Sequence, residues 1–150
     1  MVCKRGGMRI ATLTAEGWGE TDRLLAELAE GLAGEGLRTV GIVKDMGPEA
    51  QFANGCDMRV RVLPKGESIA ITQALGQGSD ACQLDPAGIA ASVVAVENRG
   101  IEGADVFILN KFGPEEAEGR GFRDAIARAR GWCAGAGWPG QWCGDARGLC

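Results

Sequence analysis

The sequence predicts an α/β protein of three layers, with a mainly parallel sheet and a β-hairpin insertion. Apolar segments of strand length alternate with segments of helical periodicity, which is typical of βαβ units. A glycine-containing loop joins the first predicted strand to the first predicted helix. Between two such α/β halves, apolar and basic residues alternate, and this pattern favours the hairpin.

The first half is a predicted βαβ unit. Its first strand covers residues 8–14, and its helix covers residues 21–33, where leucines and alanines recur at helical spacing. Residues 39–44 are a short apolar run that suits a buried parallel strand. The hairpin insertion follows at about residues 57–73, with a proline-glycine turn in its middle.

The second half begins at a strong helix start. Asp85 can cap free backbone amides, and Pro86 suits the first helical position. The helix that follows ends near residue 99, a strand covers residues 105–109, and a last helix covers residues 122–130.

The end of the chain differs from the rest in composition. Residues 1–130 read as one α/β domain with the hairpin inserted in it. Residues 131–150 contain three of the four Trp and three of the six Cys, with many Gly and no periodicity. One hypothesis is an irregular cap packed through its Trp rings. The other is a shifted reading frame in GC-rich DNA, which would make this tail atypical for the domain.

Composition excludes several classes of function. The 150 residues include no His, which excludes mechanisms that need imidazole. The net charge of −4 argues against a nucleic-acid partner. The sequence contains no run of about 18 apolar residues, which is the length needed to cross a bilayer. It also shows no signal-peptide pattern. We therefore expect a cytoplasmic protein without structural disulfides. The six Cys form no C-x-x-C motif, which argues against a zinc ribbon or a thioredoxin-like motif, and no residue is assigned as a metal ligand.

A degenerate phosphate-binding motif follows the first predicted strand. The pattern G-x-x-x-x-G-K-[ST] falls on residues 14–21, where Gly19 and Thr21 match and Gly17 adds a further glycine. The position of the phosphate-binding lysine is Glu20, whose charge is opposite. The motif thus has the shape of a P-loop without its main cation.

Two interpretations of this loop stay open. It is a simple strand-to-helix turn with an exposed Trp18, or it binds a ligand. As a binding loop, it would hold an anion through backbone amides, or a nucleotide with Mg²⁺ near Glu20 and Thr21. Efficient hydrolysis of a nucleoside triphosphate is not expected from these residues.

A second candidate segment follows the later predicted strand. The strand ends in Asn110, where P-loop proteins carry an acidic residue, and Lys111 could supply the cation that the first loop lacks. We therefore predict Asn110 and Gly113 as nucleotide-binding residues, and Lys111 and Glu116 as candidate catalytic residues. The alternative is that the acidic residues here form a solvated first helical turn.

These segments resemble the signature of an uncharacterised bacterial family whose members are often encoded beside, or fused to, molybdate ABC-transporter components. The resemblance rests on residues 110–113 and 116–121, with support from residues 56–58 and 78–86. It covers roughly residues 8–130.

That family is in turn similar to the thermophilic nucleoside-triphosphatase group of P-loop proteins. The second motif of that group falls on residues 110–116, where Gly113 and Glu116 are kept but the first two acids are not. The resemblance therefore implies a P-loop-NTPase-like fold in a binding or regulatory descendant of a nucleoside triphosphatase.

Three functions follow as expectations. The first is a nucleotide- or phosphate-binding protein that serves molybdenum uptake or its regulation. In that case Mg²⁺ would be bound together with the nucleotide. The second is a non-enzymatic sensor of molybdate, or a partner of molybdate-transporter components. The third is a nucleoside triphosphatase with rewired residues. For Cys56 and Cys82 two interpretations stay open. Their thiols could bind a soft metal or an oxyanion, or they are simply two small, partly buried side chains.

Overall fold

The computed structural model describes residues 10–47, 58–73, 83–111 and 113–129. The helices are α1 (Glu20–Gly34), α2 (Pro86–Glu97), α3 (Pro114–Ala117) and α4 (Arg123–Ala129), with a short 3-10 helix at Ile101–Gly103. The strands are β1 (Thr39–Lys44), β2 (Arg59–Val62), β3 (Ser68–Ala70), β4 (Thr72–Gln73), β5 (Gln83–Leu84) and β6 (Val106–Leu109).

The main sheet is mixed, with the strand order β3-β2-β1-β6. Among the described residues, only β1 and β6 pair in parallel, and Ile42 of β1 lies opposite Leu109 of β6. On its other side β1 pairs antiparallel with β2, and β2 pairs antiparallel with β3. The prediction of a mainly parallel sheet is therefore wrong. The predicted hairpin does form, but it extends the sheet from the side of β1, and this adds two antiparallel pairs.

The first predicted strand is also wrong for the residues that the structure describes. Residues 10–14 of the predicted segment 8–14 are not in a strand, and residues 8 and 9 lie outside the described part. Ile10 and Leu13 are 56% and 38% exposed. In the described residues the outer edge of β6 has no strand partner.

Helices cover both faces of the main sheet, which gives the three layers that the sequence predicts. On one face, α1 packs Ala29 against Val43, Leu63 and Ile108. The other face forms the larger core with α2 and α4. Its buried residues are Val40, Ile42, Val60, Val62, Val96, Ile101, Phe122 and Ala125.

The start of α2 confirms the predicted helix signal. Asp85 is the N-cap, its side chain accepts a hydrogen bond of 3.1 Å from the amide of Ala87, and Pro86 is the first helical residue. None of the helices in the described ranges is long and apolar enough to span a bilayer.

Candidate functional site

The candidate site lies where β1 and β6 end. Because these strands are parallel, their carboxyl ends meet at one edge of the sheet. Lys44 is the last residue of β1, and Asn110 follows β6 directly. The first turn of α1, which follows the glycine loop, reaches the same edge through Asp22.

The Asn110 side chain joins three elements. Its Oδ1 atom accepts a hydrogen bond of 3.2 Å from the backbone amide of Lys44. Its Nδ2 atom donates a hydrogen bond of 3.1 Å to Oδ1 of Asp22. The orientation of the amide group is determined by chemistry, since a backbone N–H only donates and an ionised carboxylate only accepts. Asn110 thus fixes the first turn of α1 against the ends of β1 and β6.

Lys44 places a positive charge beside the glycine loop. Its Nζ atom lies 3.1 Å from Oδ2 of Asp22, and the two side chains are only 30% and 24% exposed. The same Nζ atom lies 5.6 Å from the centre of the Trp18 ring, within the range of a cation–π contact. Trp18 itself is fully exposed, so solvent and ligands can reach this pair.

The loop before α1 depends on its glycines. Gly17 and Gly19 have φ angles of 108° and 77°, which glycine adopts without steric cost. Gly19 is the N-cap of α1 and has no side chain to bond the first helical amides. Thr21 Oγ1 accepts a hydrogen bond of 3.2 Å from the amide of Ala15, which draws the loop onto the helix. The positive end of α1 therefore faces the loop without a capping side chain.

The charge of Glu20 is opposed by its neighbour on the helix. Arg23 pairs with Glu20 and also with Glu27. The hydrogen bond from Arg23, assisted by its positive charge, lowers the pKa of Glu20. Glu20 is thus ionised at neutral pH and held along the surface of α1 by Arg23.

The second predicted segment is arranged around Glu116, which is 8% exposed. Its Oε2 atom accepts a hydrogen bond of 2.9 Å from the amide of Gly113, and its Oε1 atom accepts one of 3.1 Å from the amide of Phe122. Glu116 therefore closes the turn that contains α3. Lys111 is exposed just after β6, and Gly113 is the N-cap of α3.

The structure brings together one part of the predicted site. The loop with Gly17, Gly19, Glu20 and Thr21 meets Asn110 at the strand ends through the first turn of α1. Glu116 instead braces its own segment. Cys56 and Cys82 lie outside the described residues.

Sequence reasoning missed two residues, Asp22 and Lys44. Lys44 is the last residue of one apolar strand, and Asn110 directly follows another. The carboxyl ends of two parallel strands are expected to be neighbours. Asp22 directly follows the motif residue Thr21. Both positions could have been found by asking which polar residues follow each strand and begin the helix.

The residues at this edge do not form a ready metal site. Both carboxylate oxygens of Asp22 have partners, Asn110 and the ammonium of Lys44. Across the described ranges, no group of three or more Cys, Asp or Glu side chains could hold a metal ion.

Fold and site together define an α/β protein with a polar cluster at the ends of two parallel strands. The chain belongs to the family described as protein of unknown function (DUF2478), whose model matches residues 10–134. No solved structure matches the chain significantly.

A relative is the molybdenum import ATP-binding protein ModC 2 of Bradyrhizobium diazoefficiens. It is 37% identical over 123 residues, which are 81% of this chain. The chain spans only 13% of the length of that relative.

Proposed function

We propose that the protein binds a nucleotide through its phosphate groups at the loop before α1, as a binding or regulatory module of molybdenum uptake with little or no hydrolysis. The carrying observation is the position of Lys44. Its ammonium group lies at the first turn of α1, beside Trp18 and Asp22. A cation from β1 thus stands near the loop whose own lysine position is Glu20.

The phosphate would be held by three groups. The backbone amides at the start of α1 would donate to its oxygens, favoured by the helix dipole. Lys44 would exchange part of its contact with Asp22 for the more highly charged phosphate. Lys111, exposed at the neighbouring strand end, would provide a second cation. Trp18 offers a flat apolar surface at the mouth of the loop, on which a base can stack.

Hydrolysis is not favoured by this arrangement. Asn110 is neutral, and its oxygen and nitrogen each already bond a neighbour, the amide of Lys44 and the carboxylate of Asp22. The carboxylate of Glu116 already accepts two backbone hydrogen bonds. In this proposal Glu116 positions its segment, and Mg²⁺ arrives bound to the nucleotide, since Mg²⁺ commonly keeps its waters and phosphate ligands.

The link to molybdenum comes from the relative. That protein is named for molybdenum import and ATP binding, and it contains a segment 37% identical to this chain. On this ground the proposed role is a regulatory or accessory one beside a molybdate transporter.

The test is calorimetric titration of the protein with Mg²⁺–ATP, Mg²⁺–ADP and Mg²⁺–GTP. We expect saturable binding by the wild type and binding at least about tenfold weaker in Lys44→Ala, because a charge-assisted contact is lost. Lys65→Ala is the matched control. Lys65 is an exposed lysine in the turn between β2 and β3, at the opposite end of the sheet, and its loss should leave binding unchanged.

The alternative functions give different results. Binding of molybdate without any nucleotide binding would replace this proposal with a molybdate sensor. Steady phosphate release that disappears in Lys111→Ala or Glu116→Gln would replace it with a true nucleoside triphosphatase. Equal loss of nucleotide binding in Lys44→Ala and Lys65→Ala would contradict the position of the site.

A further inference from the structure

A cleft lined by several charged residues opens beside α1, at the carboxyl end of β1. Its volume is about 390 Å³, and α1, β1 and β2 all contribute to its walls. Its lining residues are Arg23, Ala26, Glu27, Glu30, Lys44, Asp45, Met46, Gly47 and Arg61. Three cations and three carboxylates therefore line a space large enough for a small ligand and several waters.

Arg61 is the cation with unused bonding capacity. Its Nη2 atom donates a hydrogen bond of 3.0 Å to Glu30. Its Nε atom is buried and has no hydrogen-bond partner among the described residues. A buried donor without a partner is costly and rare. The guanidinium group is suited to donate to an oxyanion, and the Arg61 side chain as a whole is 32% exposed. An anion in the cleft would therefore bind the exposed guanidinium nitrogens of Arg61 and not the buried Nε atom.

The present partners of the arginines are easily displaced. Glu30 is 67% exposed in its pair with Arg61, and Glu27 is 58% exposed in its pair with Arg23. Exposed ion pairs of this kind contribute little to stability, because water solvates both charges well. Turning the two glutamates into solvent therefore costs little. It frees Nη2 of Arg61 and Nη1 of Arg23 for a ligand, while Nε and Nη2 of Arg23 stay bonded to Glu20.

Asp45 gives the cleft a feature that a general anion site lacks. Hydrogen bonds from the Ser68 hydroxyl and from the amide of Gly47, the latter 3.1 Å long, lower the pKa of Asp45 and fix its carboxylate. An ionised carboxylate accepts hydrogen bonds and donates none. It repels an oxyanion without protons, but it can accept a hydrogen bond from an oxyanion that carries one.

We propose that this cleft binds inorganic phosphate in a protonated form. Arg61 and Arg23 donate to the unprotonated oxygens, and Asp45 accepts from the P–OH group. Phosphate carries at least one proton at neutral pH, whereas sulfate and molybdate carry none. The cleft therefore selects phosphate over the other two tetrahedral oxyanions. This cleft adjoins the proposed nucleotide site, with which it shares Lys44, but phosphate binding there needs no bound nucleotide.

The experiment is a calorimetric titration of the full chain with phosphate, sulfate and molybdate at pH 7.5, without nucleotide. We expect phosphate to bind and the other two anions to bind at least about tenfold more weakly. Arg61→Met should lose phosphate binding. Arg128→Met is the matched control, because Arg128 is an equally half-exposed arginine that pairs with Glu97 and Glu102 on the other side of the sheet.

The variant Asp45→Asn tests selectivity separately from affinity. The neutral amide can donate as well as accept, so this variant should bind sulfate nearly as well as phosphate. Circular dichroism of each variant shows whether it folds, and Arg61→Lys, which keeps the charge, provides a second probe of the position.

Three results would overturn the proposal. They are no phosphate binding by the folded wild type, equal binding of sulfate and phosphate by the wild type, and phosphate binding that persists unchanged in a folded Arg61→Met variant. The last result would assign the phosphate to the loop before α1. Phosphate binding without any nucleotide binding would keep this inference and reject the proposed function.

Discussion

The side chain of Asn110 donates a hydrogen bond of 3.1 Å to the carboxylate of Asp22, 88 positions earlier in the chain. The same Asn110 side chain accepts from the backbone of Lys44, whose ammonium pairs with Asp22. The three residues therefore form a closed polar triangle between the first turn of α1 and the ends of two strands. This triangle determines where the loop before α1 stands relative to the sheet.

Replacing Asn110 should loosen this triangle. In Asn110→Ala, the amide of Lys44 and one oxygen of Asp22 lose their partners in a half-buried place. We expect a loss of about 1–3 kcal/mol in the free energy of unfolding, measured by urea denaturation. Asn98→Ala is the control, since Asn98 is exposed at the end of α2, and it should change stability by less than about 0.5 kcal/mol. Equal effects of the two changes would contradict a bracing role for Asn110.

Gly41 should not tolerate a side chain. Its φ angle is 125°, and a Cβ atom there would lie 1.9 Å from the carbonyl oxygen of Ile108 in the neighbouring strand. Gly41→Ala should therefore destabilise the protein by more than about 4 kcal/mol or prevent folding. Expression yield and thermal unfolding measure this effect.

The matched substitution Gly31→Ala should act in the opposite direction. Gly31 lies within α1, and nothing stands within 4 Å of its added Cβ. Alanine is the better helix former, so this variant should gain up to about 1 kcal/mol. A Gly41→Ala variant as stable as Gly31→Ala would refute the close approach of β1 and β6.

The change Glu116→Gln should weaken the turn around α3. Glutamine keeps one acceptor atom, so only one of the amides of Gly113 and Phe122 keeps its partner. We expect a loss of about 1–3 kcal/mol in urea denaturation. Glu118→Gln, at an exposed neighbouring position, should be nearly neutral. Nucleotide binding should not change in Glu116→Gln. A large loss of nucleotide binding in a stably folded variant would show that Glu116 is part of the binding site.

Asp45 should contribute to acid sensitivity. Its pKa is lowered in the folded protein, chiefly by the hydrogen bond with Ser68, from the ordinary value of 3.8. The folded state therefore binds a proton less readily than the unfolded chain. The stabilisation from Asp45 is fully present above about pH 4 and is lost as the pH falls through the lowered pKa.

The variant Asp45→Asn isolates this effect. It should be less stable than the wild type by about 1 kcal/mol at pH 7, and the difference should shrink near pH 2. Urea midpoints at the two pH values measure this change. A difference that stays constant with pH would show that the charge of Asp45 does not stabilise the fold.

Local patterns were sufficient for several elements. The apolar run at β1 and the Asp85–Pro86 start of α2 predicted these elements correctly, because strand burial and helix capping depend on neighbouring residues. The hairpin at β2 and β3 was also predicted. Its place in the main sheet was not, since strand order depends on pairing between distant residues.

The sequence by itself determined the α/β class, the glycine loop before α1 and the limit that the absence of His places on the chemistry. Only the tertiary structure decided that residues 10–14 form no strand, that Lys44 and Asp22 meet Asn110, and that Glu116 braces a turn. The physical reason is the separation along the chain over which each interaction acts. Helix caps and periodicity act over a few residues, whereas a side-chain contact across 88 positions exists only after the sheet has brought its strand ends together.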